Sequence, residues 1–179
     1  AIRTRYRNWQ FKICTIRCIQ KRVAKCGYEV GLLTMSLETI RQLTSKRFAD
    51  FKGLPDSVKF YPNLQEPKPP KQGIWAKFRI EPVLRYVSSI GSQPCSRRNG
   101  SIVIELFDRL DAGTANIIKV ADALEQWFSY YQVENLWLGA AKTYLDGQTE
   151  LQGERSGMDK QKTIVYAVRV YIPFEYDEN

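Results

Sequence analysis

The sequence predicts a domain that combines α-helices with a β-sheet, each covering the apolar face of the other. The first observation is a run at residues 101–107 in which every second residue is apolar: Ile102, Ile104 and Leu106. This period of two is typical of a strand with one buried face. The second observation follows the break at Asp111 to Gly113. From Thr114 onward the apolar residues recur every three or four positions, which predicts an amphipathic helix packed on the strand.

A second helix is predicted over residues 36–51. Its apolar side consists of Leu37, Ile40, Leu43, Phe48 and Phe51. Ser36 is a good N-cap and Glu38 suits the first turn, so Met35 resembles a natural start of the chain. Gly53 and Pro55 end helices well and predict the end of this one.

Further strands are predicted at residues 58–61, 74–90, 133–144 and 163–174. The second of these carries the apolar residues Val83, Leu84, Tyr86, Val87 and Ile90. Pro82 predicts a bend or an edge position in that strand. The dipeptides Asn99-Gly100 and Asp146-Gly147 predict tight turns.

Three polar segments separate these elements. Residues 63–73 are rich in proline and predict an extended loop, and residues 91–99 predict a polar loop that ends in Arg97-Arg98. Residues 148–162 predict either a long hairpin arm or a mobile loop. The two arginines could bind carboxylate or phosphate through paired hydrogen bonds, or could simply lie at an exposed hairpin tip.

The positive charge is concentrated in the first 34 residues. The net charge of the chain is +8, and residues 1–34 contain eight Lys or Arg against the single acid Glu29, so they hold +7 of it. We therefore expect a basic N-terminal arm, residues 1–34, before a nearly neutral single domain, residues 35–179. The residues of the arm that could contact nucleic acid are Arg3, Arg5, Arg7, Trp9 and Arg17. The same arm could bind an acidic protein surface or anionic lipid, or remain a solvated tail.

The residue types that most catalytic and metal sites require are scarce. The chain contains no histidine, which removes imidazole bases, imidazole-dependent triads and histidine-containing zinc sites. Cys14, Cys18 and Cys26 lack a nearby fourth ligand, so no metal and no cofactor are expected. The carboxylates Glu105, Asp108 and Asp111 lie at a strand end, where Asp commonly forms turns. The sequence predicts no enzyme, and no apolar run approaches the ~20 residues of a membrane span.

An ordered series of motifs runs through residues 35–179. It consists of an N-terminal helix, Phe60-Tyr61-Pro62-Asn63, a proline-rich gap to Trp75, Arg97-Arg98-Asn99-Gly100 and a β run, Asp111-Ala112-Gly113 opening a helix with Val120-Ala121-Asp122-Ala123-Leu124, and a closing Ile172-Pro173-Phe174-Glu175-Tyr176-Asp177-Glu178. In their order and spacing these motifs resemble the tail terminator proteins of long-tailed bacteriophages, the family of the lambda-type terminator.

The resemblance implies an α+β subunit with a mixed or mostly antiparallel sheet packed with two helices. It also implies a structural virion protein that assembles in the host cytoplasm as a homohexameric ring at the head–tail junction. Such a ring caps the tail tube, ends tube polymerisation and presents a surface to a neck or head-completion protein. We expect its contacts in the polar segments, with the candidate residues Arg97, Arg98, Asn99, Gln152, Glu154, Arg155, Lys68 and Lys71.

Two other functions remain open at this point. One is a different head–tail connector or neck component, whose partner would lie on the portal side. The other is a nucleic-acid-binding protein that uses the basic arm, with DNA contacted by the arm or passing through the lumen of the ring. No membrane partner is expected.

Overall fold

The computed structural model describes residues 36–63, 70–90, 95–152 and 162–178. This part of the chain contains two α-helices, α1 (Ser36–Ala49) and α2 (Ala115–Phe128), and a short 3₁₀ helix at Asp56–Val58. The helices accompany one large, mostly antiparallel sheet. The predicted α+β class is confirmed, whereas the basic arm of residues 1–34 lies outside the described residues.

Seven strands form the sheet in the part of the chain that the structure describes. They are β1 (Lys59–Phe60), β2 (Trp75–Val87), β3 (Ser96–Arg109), β4 (Gln132–Val133), β5 (Leu136–Leu138), β6 (Lys142–Gln152) and β7 (Lys162–Glu178). Neighbouring strands follow the order β1-β2-β3-β7-β5-β4, and β6 also pairs with β7. Only the β1–β2 pair is parallel among the described strands, so the sheet is mixed in the way the resemblance implied.

Strand β7 occupies the middle of this sheet. One of its edges pairs with the whole of β3, from Ser96 opposite Glu178 to Arg109 opposite Val165. Its other edge is divided, since β6 pairs with the first part of β7 and β5 with the last part. Every strand of the sheet is therefore linked to β7 directly or through one or two neighbours.

Both helices lie on the same face of the sheet, which we call the helix face. Helix α2 buries Ile117, Ala121, Leu124 and Phe128, and α1 buries Ile40 and Phe48. These side chains pack on the alternate residues of β3 and β7: Ile102, Ile104, Leu106, Val168, Val170 and Ile172. Burial of each Val, Leu, Ile or Phe side chain in this layer contributes about 1.5–3 kcal/mol, so the layer is the main source of stability. The opposite face, the open face, holds a smaller cluster of Phe60, Trp75, Phe107, Val165 and Ala167.

The two helices are joined by Arg47. Its guanidinium lies 3.8 Å from the ring centroids of both Trp127 and Tyr131. Arg47 donates a hydrogen bond to the carbonyl oxygen of Trp127, and the Trp127 indole Nε1 donates to the carbonyl oxygen of Arg47 at 3.1 Å. Cation–π contacts and reciprocal hydrogen bonds thus fix α1 against α2.

The predicted turn at Asn99-Gly100 is wrong, because both residues lie inside β3. A Cβ atom at Gly100 would be 2.5 Å from the carbonyl oxygen of Glu81 and 2.7 Å from the ring of Phe174. Glycine is therefore required for the close approach of two neighbouring strands, and not for a turn.

The predicted turn at Asp146-Gly147 is also wrong. Both residues lie within β6, where the register with β7 shifts between Leu145 and Gly147. Gly147 has φ = +78°, which is the conformation of the glycine in a common type of β-bulge. The same glycine signal thus marks a bulge, and the strand continues beyond it to Gln152.

The remaining boundaries follow the predictions in part. Pro82 lies at a register shift in β2 and beyond the two residues that β1 covers, which confirms the predicted bend or edge position. Helix α1 ends at Ala49, before the predicted glycine and proline. The predicted strand at 133–144 is divided into β4, β5 and the start of β6. Of the segment 148–162, residues 148–152 belong to β6 and Lys162 begins β7, whereas residues 153–161 lie outside the described residues.

Candidate interaction surface at the β2–β3 hairpin

Arg97 lies within β3, so the prediction that it belongs to a polar loop is wrong. Its Nε donates to Asp177 Oδ1 at 2.6 Å and its Nη2 donates to Asp177 Oδ2 at 3.2 Å. Its Nη1 donates to Glu175 Oε2 at 2.9 Å, and its guanidinium lies 5.3 Å from the ring centroid of Trp137. The hydrogen bonds that Arg97 donates to the Asp177 carboxylate raise the pKa of Arg97 further above its already high value.

Arg98 faces the other side of the sheet, since successive strand residues alternate. Its Nε donates to Glu178 Oε1 at 3.0 Å. The other oxygen of the same carboxylate lies 2.5 Å from Arg85 Nε and accepts a hydrogen bond from the Ser96 hydroxyl at 2.7 Å. One carboxylate on β7 therefore holds an arginine of β2 and an arginine of β3.

The two arginines predicted to contact a partner are thus occupied by the acidic end of β7. The three guanidinium groups of Arg85, Arg97 and Arg98 face the three carboxylates of Glu175, Asp177 and Glu178, which leaves the cluster with no formal net charge. The hypothesis of an exposed arginine tip is wrong. Binding of a partner by these arginines stays a prediction, and such a partner has to share or displace the internal carboxylates.

The other predicted contact residues are spread over the molecule. Asn99 is half-buried in β3 opposite Glu175, and its Oδ1 has no hydrogen-bond partner within the described ranges. Lys71 is exposed in a bend before β2, and Gln152 ends β6. Outside the described residues lie Lys68, Glu154, Arg155, Arg3, Arg5, Arg7, Trp9 and Arg17.

The feature that sequence reasoning missed is the exposed apolar end of the β2–β3 hairpin. Leu84, Tyr86, Val87 and Ile90 are all exposed, with Leu84 and Val87 at 61% and 65%. We call these four residues the hairpin surface. The described part of the chain has ten large exposed apolar residues, and four of them lie within the seven positions 84–90. Large clustered apolar exposure of this kind marks interaction sites.

The hairpin that carries this surface is ordered by its own hydrogen bonds. The backbone N–H of Ser88 donates to the carbonyl oxygen of Cys95 at 2.8 Å, and the hydroxyl of Ser88 donates to the same oxygen at 3.1 Å. The hydroxyl of Ser89 accepts a hydrogen bond from the N–H of Cys95 at 2.8 Å. Leu84, Tyr86 and Val87 therefore belong to a stretch of backbone that is paired with the neighbouring strand, and this pairing extends as far as Ser88 and Cys95.

A shallow cleft lies between α1 and β2 on the helix face. We call it the α1–β2 cleft, and its lining residues are Arg41, Ser45, Tyr61, Pro62, Phe78 and Ile80. The Tyr61 ring packs against Phe48 and Phe78, at centroid distances of 5.6 and 5.8 Å, which fixes one wall. Arg41 is held at the rim by Glu38, with a distance of 2.7 Å between Arg41 Nε and Glu38 Oε2.

The open face of the sheet carries a line of alternating charges across four strands. Arg79 of β2 lies 2.9 Å from Glu81 and 3.0 Å from Glu105 of β3. Arg169 of β7 continues the line at 3.8 Å from Glu105 and at 3.1 Å from Asp146 of β6. The two arginines of this line thus lie between three carboxylates, and all five charges are paired within the sheet.

The three carboxylates considered for a metal site do not converge. Glu105 and Asp108 are three positions apart on β3 and so point to opposite faces. Asp108 is buried and accepts a hydrogen bond from the N–H of Arg109 at 2.8 Å, whereas Asp111 adopts a left-handed φ of +71° in the following turn. Within the described ranges no group of three or more Cys, Asp or Glu side chains is placed to hold a metal ion. Nor is any helix there long and apolar enough to span a membrane.

Comparison with known proteins gives a fold and no family. No protein-family model matches the chain, and no curated protein matches it. Four solved chains are similar in structure. One of them, a protein whose name states no function, superposes with a TM-score of 0.54 at 16% identity, over 81% of this chain and 98% of its own. At this identity the match shows only that another solved chain has a similar fold, and it carries no information about function.

Proposed function

We propose that this chain is a structural subunit of a long-tailed bacteriophage. In this proposal a homohexameric ring caps the tail tube at the head–tail junction of the virion. One side of the ring binds the last layer of tube protein and ends polymerisation, and the other side receives the neck or head-completion protein. The proposal rests on the resemblance of residues 35–179 to tail terminators and on the α+β fold that the resemblance implied.

The single observation that favours an assembly role is the hairpin surface. An ordered hairpin that exposes four large apolar side chains is costly in water and is found where another protein covers it. The neighbouring arginines are neutralised by the end of β7, so this region offers apolar contact area and little free charge. Such a surface suits protein–protein association better than binding of a nucleic-acid backbone.

The experiment that tests the proposal is tube assembly in the presence of the full chain. Tail tube protein from the same phage is allowed to polymerise with and without the purified chain, and tube lengths and tube ends are measured by electron microscopy. We expect shorter tubes with a ring at one end. Unchanged tube lengths and bare ends at a molar excess of the chain contradict the proposal.

Two outcomes separate the alternatives from this one. A ring that binds the portal or neck protein and leaves tube growth unaffected identifies a different connector. Binding to duplex DNA that weakens steeply with salt, by a chain that forms no ring, identifies a nucleic-acid-binding protein that acts through its basic arm.

A further inference from the structure

We infer that one face of the paired end of β2 and β3 is a protein-docking surface, and that its partner presents a Lys or Arg side chain among apolar ones. We call this surface the open-face site, and its residues are Leu84, Tyr86, Arg97, Trp137 and Glu175. The inference rests on the proposed function for the identity of the partner, which is then the tube protein or the neck protein.

The five residues lie on the same face of four neighbouring strands. Tyr86 of β2 is paired with Arg97 of β3, and Leu84 points the same way because it precedes Tyr86 by two positions. Glu175 of β7 is paired with Trp137 of β5. Arg97 joins the two pairs, since its Nη1 donates to Glu175 Oε2 at 2.9 Å and its guanidinium lies 5.3 Å from the Trp137 ring centroid.

The composition of the open-face site is that of a protein interface. Leu84 is 61% exposed and Tyr86 is 43% exposed, and the half-buried Trp137 lies on the other side of Arg97. Trp, Tyr and Arg are the residues most enriched at the positions that carry the binding energy of interfaces. The site therefore offers aliphatic and aromatic contact area around a guanidinium that is already held in place.

The open-face site has an excess of negative charge. The Arg97 guanidinium faces two carboxylates, those of Glu175 and Asp177, which leaves one negative charge. The exposed Glu134 adds a charge of the same sign nearby, since the carbonyl oxygen of the next residue, Asn135, accepts a hydrogen bond from the N–H of Asp177 at 3.0 Å. Half of the Glu175 side chain is exposed, so a cation of a partner can reach it. Complementarity of charge therefore favours a partner with a Lys or Arg.

The other face of the same strands has the opposite sign. There Arg85 and Arg98 share the single carboxylate of Glu178, which leaves one positive charge. The cluster of three arginines and three carboxylates is thus neutral as a whole, but its charges are divided unequally between the two faces. Val87 lies on this second face and is 65% exposed, so the two faces differ in charge and not in apolar exposure. A cationic partner is therefore directed to the open face.

The open-face site is also ordered before any partner binds. Arg97 is held by Asp177 at 2.6 and 3.2 Å and by Glu175 at 2.9 Å. The β2 backbone beside it is paired with β3 as far as the bond from the N–H of Ser88 to the carbonyl oxygen of Cys95. A preorganised surface loses little conformational entropy on binding. Contacts made here therefore contribute to association with only a small ordering cost.

The test compares two matched pairs of variants of the full chain. Leu84→Lys and Val87→Lys each add one positive charge at an exposed apolar position of β2, on the open face and on the helix face respectively. Glu175→Gln and Asp122→Asn each remove one carboxylate, the first within the site and the second at an exposed position of α2. Circular dichroism verifies that each variant is folded.

Two kinds of probe are used. The first is the purified tail tube protein and the purified neck protein of the same phage, each titrated into the chain to measure Kd by calorimetry. The second is the capped tripeptide acetyl-Leu-Arg-Leu-amide, with acetyl-Leu-Glu-Leu-amide as its control. Binding of the peptides is followed by NMR at the indole N–H signal of Trp137, which reports on the open face without any phage partner.

We expect one of the two proteins to bind Val87→Lys and Asp122→Asn as tightly as it binds the unmodified chain. Leu84→Lys should bind it about tenfold more weakly or worse, because apolar contact is lost and the new charge repels the cation of the partner. Glu175→Gln should weaken binding about two- to fivefold, the effect of a partly exposed ion pair. The arginine peptide should shift the Trp137 signal more than the glutamate peptide does, and the shift should decrease as the salt concentration rises.

The possible failures are distinguishable. Binding that is lost in Val87→Lys and kept in Leu84→Lys overturns the open-face site and leaves the proposed function standing. Equal shifts of the Trp137 signal with both peptides, or no shift with either, overturn the inference of a cationic partner. An unmodified chain that binds neither protein and caps no tube overturns the proposed function, and a selective shift by the arginine peptide then still supports the open-face site.

Discussion

Arg97 and Asp177 form a two-pronged ion pair that connects the first residues of β3 to the last residues of β7. The two N–O distances are 2.6 and 3.2 Å, and both side chains are largely removed from solvent. A planar guanidinium matches a carboxylate in this geometry, whereas a lysine ammonium cannot make both contacts. The pair therefore determines how firmly the base of the β2–β3 hairpin is attached to the sheet.

We expect an energetic coupling of about 1–3 kcal/mol between Arg97 and Asp177, since partly buried charged hydrogen bonds exceed surface pairs. The measurement is a double-mutant cycle of Arg97→Gln and Asp177→Asn by urea unfolding. The exposed pair Arg41 and Glu38 is the matched control and should couple more weakly. Equal coupling in the two cycles contradicts the view that burial strengthens the Arg97 pair.

Gly100→Ala should destabilise the fold by about 1–3 kcal/mol, the usual cost of an added methyl group in a packed position. The new Cβ would overlap the carbonyl oxygen of Glu81 and the ring of Phe174. Ser101→Ala is the control at the adjacent buried residue. Its hydroxyl has no hydrogen-bond partner in the described part of the chain, so its removal should change stability little. Thermal unfolding of the two variants tests the difference, and a Gly100→Ala protein as stable as Ser101→Ala is incompatible with close strand packing.

Lys59→Met should destabilise the fold by about 1–3 kcal/mol. The Lys59 side chain is 1% exposed, and its ammonium donates to the carbonyl oxygens of Ala49 and Phe51 and to Asp56 Oδ1, each at 2.8 Å. Methionine keeps the aliphatic volume but leaves two carbonyl groups at the end of α1 without their donor. Asp56→Asn, at an exposed partner, should have a smaller effect in the same denaturant titration. A larger loss of stability in Asp56→Asn than in Lys59→Met would show that the ion pair, and not the hydrogen bonds to the carbonyl groups at the end of α1, provides the stabilisation.

We expect the Glu38 carboxyl to have a pKa of about 2, well below its ordinary value of 4.5, because Arg41 and Gln42 donate hydrogen bonds to its carboxylate. The folded-state pKa is depressed, so the stabilising effect is complete above pH 4.5 and is lost as the pH falls toward 2. We expect the difference in melting temperature between the unmodified chain and Glu38→Gln to shrink across this window. Titration of the Glu38 carboxyl followed by NMR measures the pKa directly, and a midpoint of 4.5 refutes the assignment.

The parts of the fold that the sequence predicted are those fixed by local apolar period. Helix α2 buries Ile117, Ala121, Leu124 and Phe128, which recur every three or four residues as the sequence predicted. Strand β3 buries the alternate residues Ile102, Ile104 and Leu106. In α2 one face meets the core, so periodicity within about fifteen residues is sufficient information. The prediction of a single buried face is wrong for β3, because Val103 and Phe107 on its other face are buried as well.

The errors occur where a distant residue decides the local conformation. Asn99-Gly100 and Asp146-Gly147 carry the local signal of a turn, but Phe174 requires glycine at the first site and pairing with β7 requires a bulge at the second. Turn propensity reports what a dipeptide tolerates. It does not report which strand lies opposite, and the register with β7 was not visible in the sequence.

The candidate site was missed for a related reason. Leu84, Tyr86 and Val87 have the composition of a buried strand, but the helices do not extend over the end of the β2–β3 hairpin. The partners of Arg97 and Arg98 lie about eighty residues away on β7, so the two arginines resembled free contact groups. A strand of thirteen residues, longer than the mean of five or six, is the one sequence-level signal that an end could project beyond the core.

The central place of β7 also governs the order in which the protein can form during synthesis. Strands β2 and β3 can pair as soon as both have left the ribosome, but the β4–β5 pair and β6 can join them only when Lys162–Glu178 has been made. Until then one edge of β3 is unpaired, and the apolar sides of both helices lack the cover that the β7 residues Val168, Val170 and Ile172 provide. Unpaired edges of this kind favour aggregation. Translation that stops before β7 should therefore yield aggregated chains and no partly active subunit.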